Sequence, residues 1–473
     1  MSRETVGNVA STRPPLPEII ESSKSAPILE FDANFEAGNL GRVERISAEE
    51  YDLFVRPDTG SPQHRLWFHF TLTNASPGRA KVLLNIINLS KQRSLFSEGM
   101  TPVIGKGQPR LWERLSKKQV RYHRSNLHAD RFILSISLAL EPSASVELAY
   151  NFPYPTRQLA SYLRSLSSPS NPALRLDCLA KTLQGRRLDL LTITSVGNLM
   201  GGGRKQRIVF ITARVHPGES PSSYVLQGLV DFLLSSRREA EELRERFVWK
   251  IIPMLNPDGV ALGNYRCSLM GFDLNRHWQT PSNWAHPTVH AAKRTLLQYN
   301  RNHQMDLVLY VDFHAHSTRY GAFLYGNVHS QEPARCERQL LLPLLLAETA
   351  EDFSLADTNF NQDAGKSGTG RRAMGGALAE SALCYTLEVS FHGYKGAKNS
   401  SVIPYTPPLY TRLGENFALA VHKFSDIEAG KATAPEPPRP FQTFLAPTKQ
   451  KKANFRLTSK RKSSKAKELS STK

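Results

Sequence analysis

Cysteine is scarce in this chain: four in 473 residues, Cys178, Cys267, Cys336 and Cys384, far apart and with no Cys-x-x-Cys pair. That spacing excludes a disulfide framework and predicts ordinary thiols in a reducing compartment. Long apolar runs are also missing. A membrane helix needs roughly 18 consecutive apolar residues, and the densest stretch, 340–347, is short and carries Pro343. The first twenty residues lack the apolar core of a secretory signal, so an intracellular, soluble protein is expected. His-Glu-x-x-His is absent, and the inverted form fails because position 220 is serine. There is no internal repeat.

The residues that are present describe a folded protein. Hydrophobic residues make up 40%, aromatic 9% and charged 22%, which at roughly 100–200 residues per domain allows two or three domains. The net charge of +19 is unevenly placed. Residues 449–473 hold ten Lys or Arg against one acid, Glu468, and so contribute +9. A Ser/Lys-rich tail of this kind cannot bury enough surface to fold, and it can draw the protein toward polyanions. The remaining body is still basic, which suits an acidic substrate.

Two periodicities divide the chain. From about 27 to 155 apolar residues alternate, as in Leu66, Phe68, Phe70 and Leu72, or Phe132, Leu134, Ile136 and Leu138. Short alternating runs separated by turns predict a small antiparallel β-sandwich. From 156 to 428, strand-like runs (188–194, 207–213, 248–254, 307–313, 383–389) alternate with helical patterns (222–234, 287–299, 409–424). That pattern predicts an α/β domain with a mixed sheet flanked by helices, its reacting groups gathered at strand ends. Residues 1–26 and 429–473 are expected to be disordered.

The run 207–213 leads into His216-Pro217-Gly218-Glu219, and 307–313 leads into His314-Ala315-His316. A His and a Glu three apart in a turn, joined by a second His, make an open zinc site of the kind that leaves one position for water. Alone the His-x-x-Glu pair is weak. Further along come Asn256-Pro257-Asp258-Gly259, Gly263-Asn264-Tyr265-Arg266, Asp273-Leu274-Asn275-Arg276 and, in the run 383–389, Glu388. Taken singly, Asp273, Asn275 and Asp312 read as turn or strand-end residues, Arg276 as a surface ion pair and Glu388 as the end of an edge strand.

In that order, these residues resemble the zinc carboxypeptidases of the pancreatic type, and the strings around them resemble the cytosolic carboxypeptidase family. The phrases at 31–40 and 51–58 are similar to the sandwich domain that precedes the catalytic domain in that family. The resemblance spans about 31–424 and implies a hydrolase with one Zn²⁺ held by His216, Glu219 and His314. It implies Glu388 as general base, Arg266 at the oxyanion, and Asn275 and Arg276 on the substrate's terminal carboxylate. His316 is not a ligand in that pattern. It also implies removal of C-terminal glutamates from polyglutamate side chains or acidic tails, tubulin among the substrates, in the cytosol and at centrioles, basal bodies or other microtubule structures. The Gly-Thr-Gly-Arg run at 368–371 resembles the segment that receives the glutamate side chain, through Arg371; Arg372 reads as solvated. The pancreatic enzymes carry a mobile tyrosine in this loop, but a gapless count back from Glu388 lands on Lys366, so that role has no assigned residue. A monomer without membrane or nucleic-acid partners is expected. Two other readings stay open: a zinc amidohydrolase acting on N-acyl amino acids, favoured if Asn275-Arg276 is remote from the metal, and a non-catalytic module that binds acidic partners.

Overall fold

The computed structural model describes residues 17–20, 29–91, 94–167, 171–201, 205–328, 332–396 and 401–438. The basic tail at 449–473 and most of the expected N-terminal disorder lie outside these residues. Glu18–Ile20 departs from that expectation, since its backbone pairs in parallel with Arg42–Glu44.

The N-terminal part is a sandwich of two sheets. One contains, in spatial order, Glu18–Ile20, Arg42–Arg45, Glu50–Phe54, Ala80–Ile86, Arg131–Leu140 and Val120–Ser125. The other contains Leu29–Asp32, His69–Asn74, Ser145–Ala149, Val103–Lys106 and Leu111–Arg114. Alternation puts Leu66, Phe68, Phe70 and Leu72 in the core with Leu134, Ile136 and Leu138. Phe132 is only half buried, whereas Ser135, placed on the polar face by its pattern, is buried and donates to Asn85 Oδ1 at 2.8 Å. The sandwich is also not wholly antiparallel, because Glu50–Leu53 runs parallel to Leu83–Ile86 as well. Period two reports which face a residue takes, not the direction of its neighbouring strand.

The second domain is built on an eight-stranded mixed sheet. Its spatial order is Leu174–Lys181, Arg187–Ile193, Val248–Ile252, Gln206–Ala213, Met305–His316, Leu383–Ser390, Ala322–Gly326 and Asn359–Phe360. The four strands from Val248–Ile252 to Leu383–Ser390 are mutually parallel. Alternate residues of Gln206–Ala213 feed two cores. Val209 and Ile211 pack in the core shared with helices Pro221–Leu233 and Pro407–Glu428, and Ile208 and Phe210 in the core shared with Pro287–Arg301 and Gly370–Ala377. Those first two helices touch through glycines. A Cβ on Gly414 would lie 1.9 Å from the Val225 carbonyl oxygen, and one on Gly228 would lie 2.0 Å from that of Thr411. The apolar run 340–347 with Pro343 lies inside the helix Pro333–Thr349.

Parallel central strands aim their C-terminal ends at one edge, so the segments that follow them meet there. The sandwich domain docks beside that edge. Arg56 donates to the Leu262 carbonyl oxygen at 2.7 Å, Asn39 to that of Gly263 at 2.9 Å, and Arg114 to those of Phe391 and Tyr405 at 2.8 and 2.9 Å.

Candidate active site

The segment after Gln206–Ala213 is held in an unusual backbone shape. Arg214 has a φ of 61° and is fully buried, and its guanidinium donates to the Pro217 and Tyr154 carbonyl oxygens and to Ser223 Oγ. Gly218 passes so close to Tyr265 that a Cβ would lie 2.6 Å from the ring. This tight turn folds His216 back onto Glu219, with Nδ1 2.8 Å from Oε1. The third member comes from a strand, not from the loop expected after 313. Met305–His316 continues its ladder, with His314 opposite Glu388 and His316 opposite Ser390. His314 Nδ1 lies 2.9 Å from Glu219 Oε2.

His216, Glu219 and His314 are all buried, and their ligand atoms lie within 4.8 Å of one another, so they could hold a metal ion. The donor set fits zinc, and the far side of each ring supports that fit. His216 Nε2 is 3.1 Å from Asp273 Oδ1, and His314 Nε2 is 2.8 Å from Asp312 Oδ2. A carboxylate on Nε2 takes that hydrogen and leaves the Nδ1 lone pair for a cation. Burial pushes the Glu219 carboxyl up, but the two imidazoles more than offset it and hold the group well below its usual range. Asp312 is steadied in turn by Thr212 Oγ1, which donates to it at 2.7 Å.

Asp273 links the metal group to the arginine. Its Oδ2 accepts from Arg266 Nε at 2.8 Å, while Oδ1 caps the short turn Leu274–Arg276 by accepting from the Asn275 N–H at 3.0 Å. The backbone of Arg266 is fixed from the other domain, since Asp58 accepts from the N–H groups of Tyr265, Arg266 and Cys267 at 2.7, 2.6 and 2.8 Å. Asn275 accepts from the Gly370 N–H at 2.9 Å, and its amide nitrogen lies 3.2 Å from His314 Nε2. Arg276, half exposed, lines a cavity together with His216, Glu219 and His314. The pair is therefore not remote from the candidate metal ligands, which removes the condition that favoured an amidohydrolase.

Glu388 and Arg371 face this cavity of about 220 Å³ as well. Burial pushes the Glu388 carboxyl up to about 7, with Glu219 and Asp312 adding to the rise against the opposing histidines. Arg371 is 2% exposed, and its guanidinium is met by neutral oxygens, those of Gly326, Asn327 and Asn361. Burial lowers it to about 10. Lys366 stands 4.5 Å over the Tyr325 ring, whereas Arg372 turns away and donates to the Asn361 carbonyl oxygen at 3.1 Å. His316 is held by the local turn, accepting from the Arg319 N–H and donating to the Gly321 carbonyl oxygen, each at 3.3 Å.

Sequence reasoning missed the carboxylates behind the histidines and the part played by Asp58 of the sandwich domain. Asp312 had a usable signal, because residues two apart on one strand share a face and Asp312 sits two before His314. Asp273 lay inside the motif that carries Asn275 and Arg276, whereas Asp58 had no signal, since it reaches the site only through the tertiary fold.

Known proteins resemble this chain over most of its length. A zinc carboxypeptidase family model matches residues 159–386, and a cytosolic carboxypeptidase N-terminal domain model matches 31–150. Cytosolic carboxypeptidase 6 of Caenorhabditis elegans is 48% identical over 432 residues, covering 89% of this chain and 93% of that protein. The Homo sapiens protein of the same name is 48% identical, covering 82% of this chain and 77% of its own length. Among solved structures, a metallo-carboxypeptidase from Burkholderia cenocepacia superposes with a TM-score of 0.71 at 22% identity, covering 85% of this chain and all of that one. One from Pseudomonas aeruginosa, in complex with (2-guanidinoethylmercapto)succinic acid, gives 0.67 at 22% identity, covering 84% and 99%. At that identity the structures speak for the fold alone. The chain belongs to the cytosolic carboxypeptidase family of zinc carboxypeptidases, and it is a metallocarboxypeptidase.

Proposed function

We propose that this metallocarboxypeptidase removes C-terminal glutamates from polyglutamate side chains or acidic protein tails, tubulin among them. The observation that carries the reading is Arg371: a buried cation in the cavity wall whose hydrogen-bond partners among the described residues are neutral oxygens. A buried charge without a counter-ion is costly, and a glutamate side chain is the ligand that relieves it.

The roles follow from position. His216, His314 and Glu219 would hold one zinc ion per chain, which would supply polarisation of the scissile carbonyl and activation of a water. Glu388, in the cavity wall beside the candidate metal ligands, takes the proton of the attacking water and returns it to the leaving amine. Arg266, aimed by Asp273 and Asp58, stabilises the developing oxyanion. Asn275 and Arg276 hold the terminal carboxylate, and that clamp restricts cleavage to the last residue. The relatives' names call them cytosolic, and we place this chain in the cytosol too, as a monomer that can also work at centrioles, basal bodies or other microtubule structures.

Mass spectrometry of a polyglutamylated peptide incubated with zinc-loaded protein tests the reading. Stepwise loss of single glutamates is expected. Release of other C-terminal residues at equal rate would overturn it.

A further inference from the structure

The α/β domain lines the cavity with Arg266, Arg276, Lys366 and Arg371, and the sandwich domain supplies a further basic residue. Lys91 follows the strand Ala80–Ile86, and its carbonyl oxygen accepts from Tyr122 Oη at 3.0 Å, tying this loop to its own domain. The ammonium crosses to the α/β domain. It donates to Tyr265 Oη and to Ser317 Oγ, both at 2.9 Å, and lies 5.0 Å from the centroid of the Tyr265 ring. Ser317 is three residues past His314, and Tyr265 directly precedes Arg266, so Lys91 borders the reacting centre.

Its surroundings differ from those of Arg371. Arg371 and Lys366 lie 6.0 and 4.5 Å from the ring of Tyr325, next to the Asn275-Arg276 clamp through Gly370. Lys91 is gathered around Tyr265 instead. An ammonium has three N–H donors. Two go to neutral hydroxyls, no acidic side chain among the described residues pairs with the charge, and the group faces the cavity. A peptide with one C-terminal acid carries a single side-chain carboxylate for these two positions. A run of acids offers one carboxylate to each.

We infer that Lys91 forms a second acidic subsite, receiving the side-chain carboxylate of the residue that precedes the scissile bond. The sandwich domain thereby takes part in selecting the substrate. This rests on the reading that the residue removed is glutamate, and it extends that preference one residue upstream.

The test uses zinc-loaded full-length protein and otherwise identical peptides ending in Glu-Glu or Gln-Glu. At low salt the wild type is expected to favour Glu-Glu by about 10-fold in kcat/KM, the order of one partly solvated charge-assisted contact. High salt should shrink that ratio. Lys91→Ala should bring it to about one while Gln-Glu turnover changes by less than about 2-fold, and Lys91→Arg should keep most of it. Equal loss on both peptides would mean that Lys91 only braces Tyr265 and Ser317, and an unchanged ratio would mean it touches no substrate; either overturns the proposal. A wild-type ratio of one does so without any variant, should Lys91→Ala fail to fold. Peptides ending in Glu-Ala and Gln-Ala separate the two readings. If the wild type removes alanine as fast as glutamate, the glutamate reading falls, and the Lys91 ratio is then read on this second pair.

Discussion

The two β-rich regions of this chain bury their sheets differently, and the difference decides where chemistry can sit. In the sandwich, one sheet covers the other, so strand residues divide between core and exterior. Its contributions to the active site, Asp58 and Lys91, come from loops that reach across the domain interface. In the α/β domain both faces of the sheet are covered, and its central parallel strands end at one edge. There the strand ends themselves place His314 and Glu388, and the segment after Gln206–Ala213 brings in His216 and Glu219. One domain supplies the candidate reacting groups; from the other, Asp58 holds the backbone of Arg266.

If that division is right, the largest losses come from the α/β edge. His216→Ala or His314→Ala should remove the zinc, about one per chain in the wild type, and with it all turnover, because three protein ligands are the working minimum of a catalytic site. Metal analysis of purified variants checks this, and stoichiometric zinc in the double variant would move the site elsewhere. Glu388→Gln keeps shape but cannot accept a proton, so kcat should fall by roughly 10²- to 10⁴-fold with zinc content unchanged. A smaller change is expected at the pocket wall. Arg371→Ala should lower kcat/KM for C-terminal glutamate by about 10- to 150-fold, the size of one charge-assisted pair at 1.4 kcal/mol per decade. Matched peptides ending in alanine should change far less. Equal loss on both would assign Arg371 to shaping its loop.

The same division explains what could be read from the sequence. His216, Glu219, Arg266, Asn275 and Glu388 sit in compact motifs whose order carried the assignment, and all of them meet at the cavity. Alternation marked the run of short strands, and the period changes near 156, where the helix Thr156–Leu166 begins. Two elements stayed hidden for one physical reason. The parallel pairing of Glu50–Leu53 with Leu83–Ile86, like the strand at Glu18–Ile20, joins segments with no local turn between them to signal it. Asp58 was hidden likewise: nothing near it in the chain points to residues about two hundred positions away. The continuation of Met305–His316 through His316 was missed because polar histidines end an apolar run on paper, while in the fold they keep pairing with Leu383–Ser390.

Asp58 offers the finest test of whether the sandwich merely rests on the α/β domain or shapes its site. One carboxylate accepts from three consecutive N–H groups, and the middle one belongs to Arg266. Oδ2 alone accepts from Arg266 and Cys267, so an amide nitrogen in its place would face two buried donors. Leaving such groups unpaired costs about 1–3 kcal/mol. Asp58→Asn should therefore lower Tm by several degrees, at roughly 2–4 °C per kcal/mol for folding units of this size. The informative measurement is kinetic and is made below that Tm. Arg266 is proposed to act on charge that develops only during reaction, so loosening its backbone should reduce kcat, by about 10-fold, and leave KM nearly unchanged. Zinc content should stay at one per chain, because Asp273 still supports His216. If Tm falls while kcat holds, Asp58 is a latch between domains and nothing more, and the sandwich then reaches the chemistry through Lys91 alone.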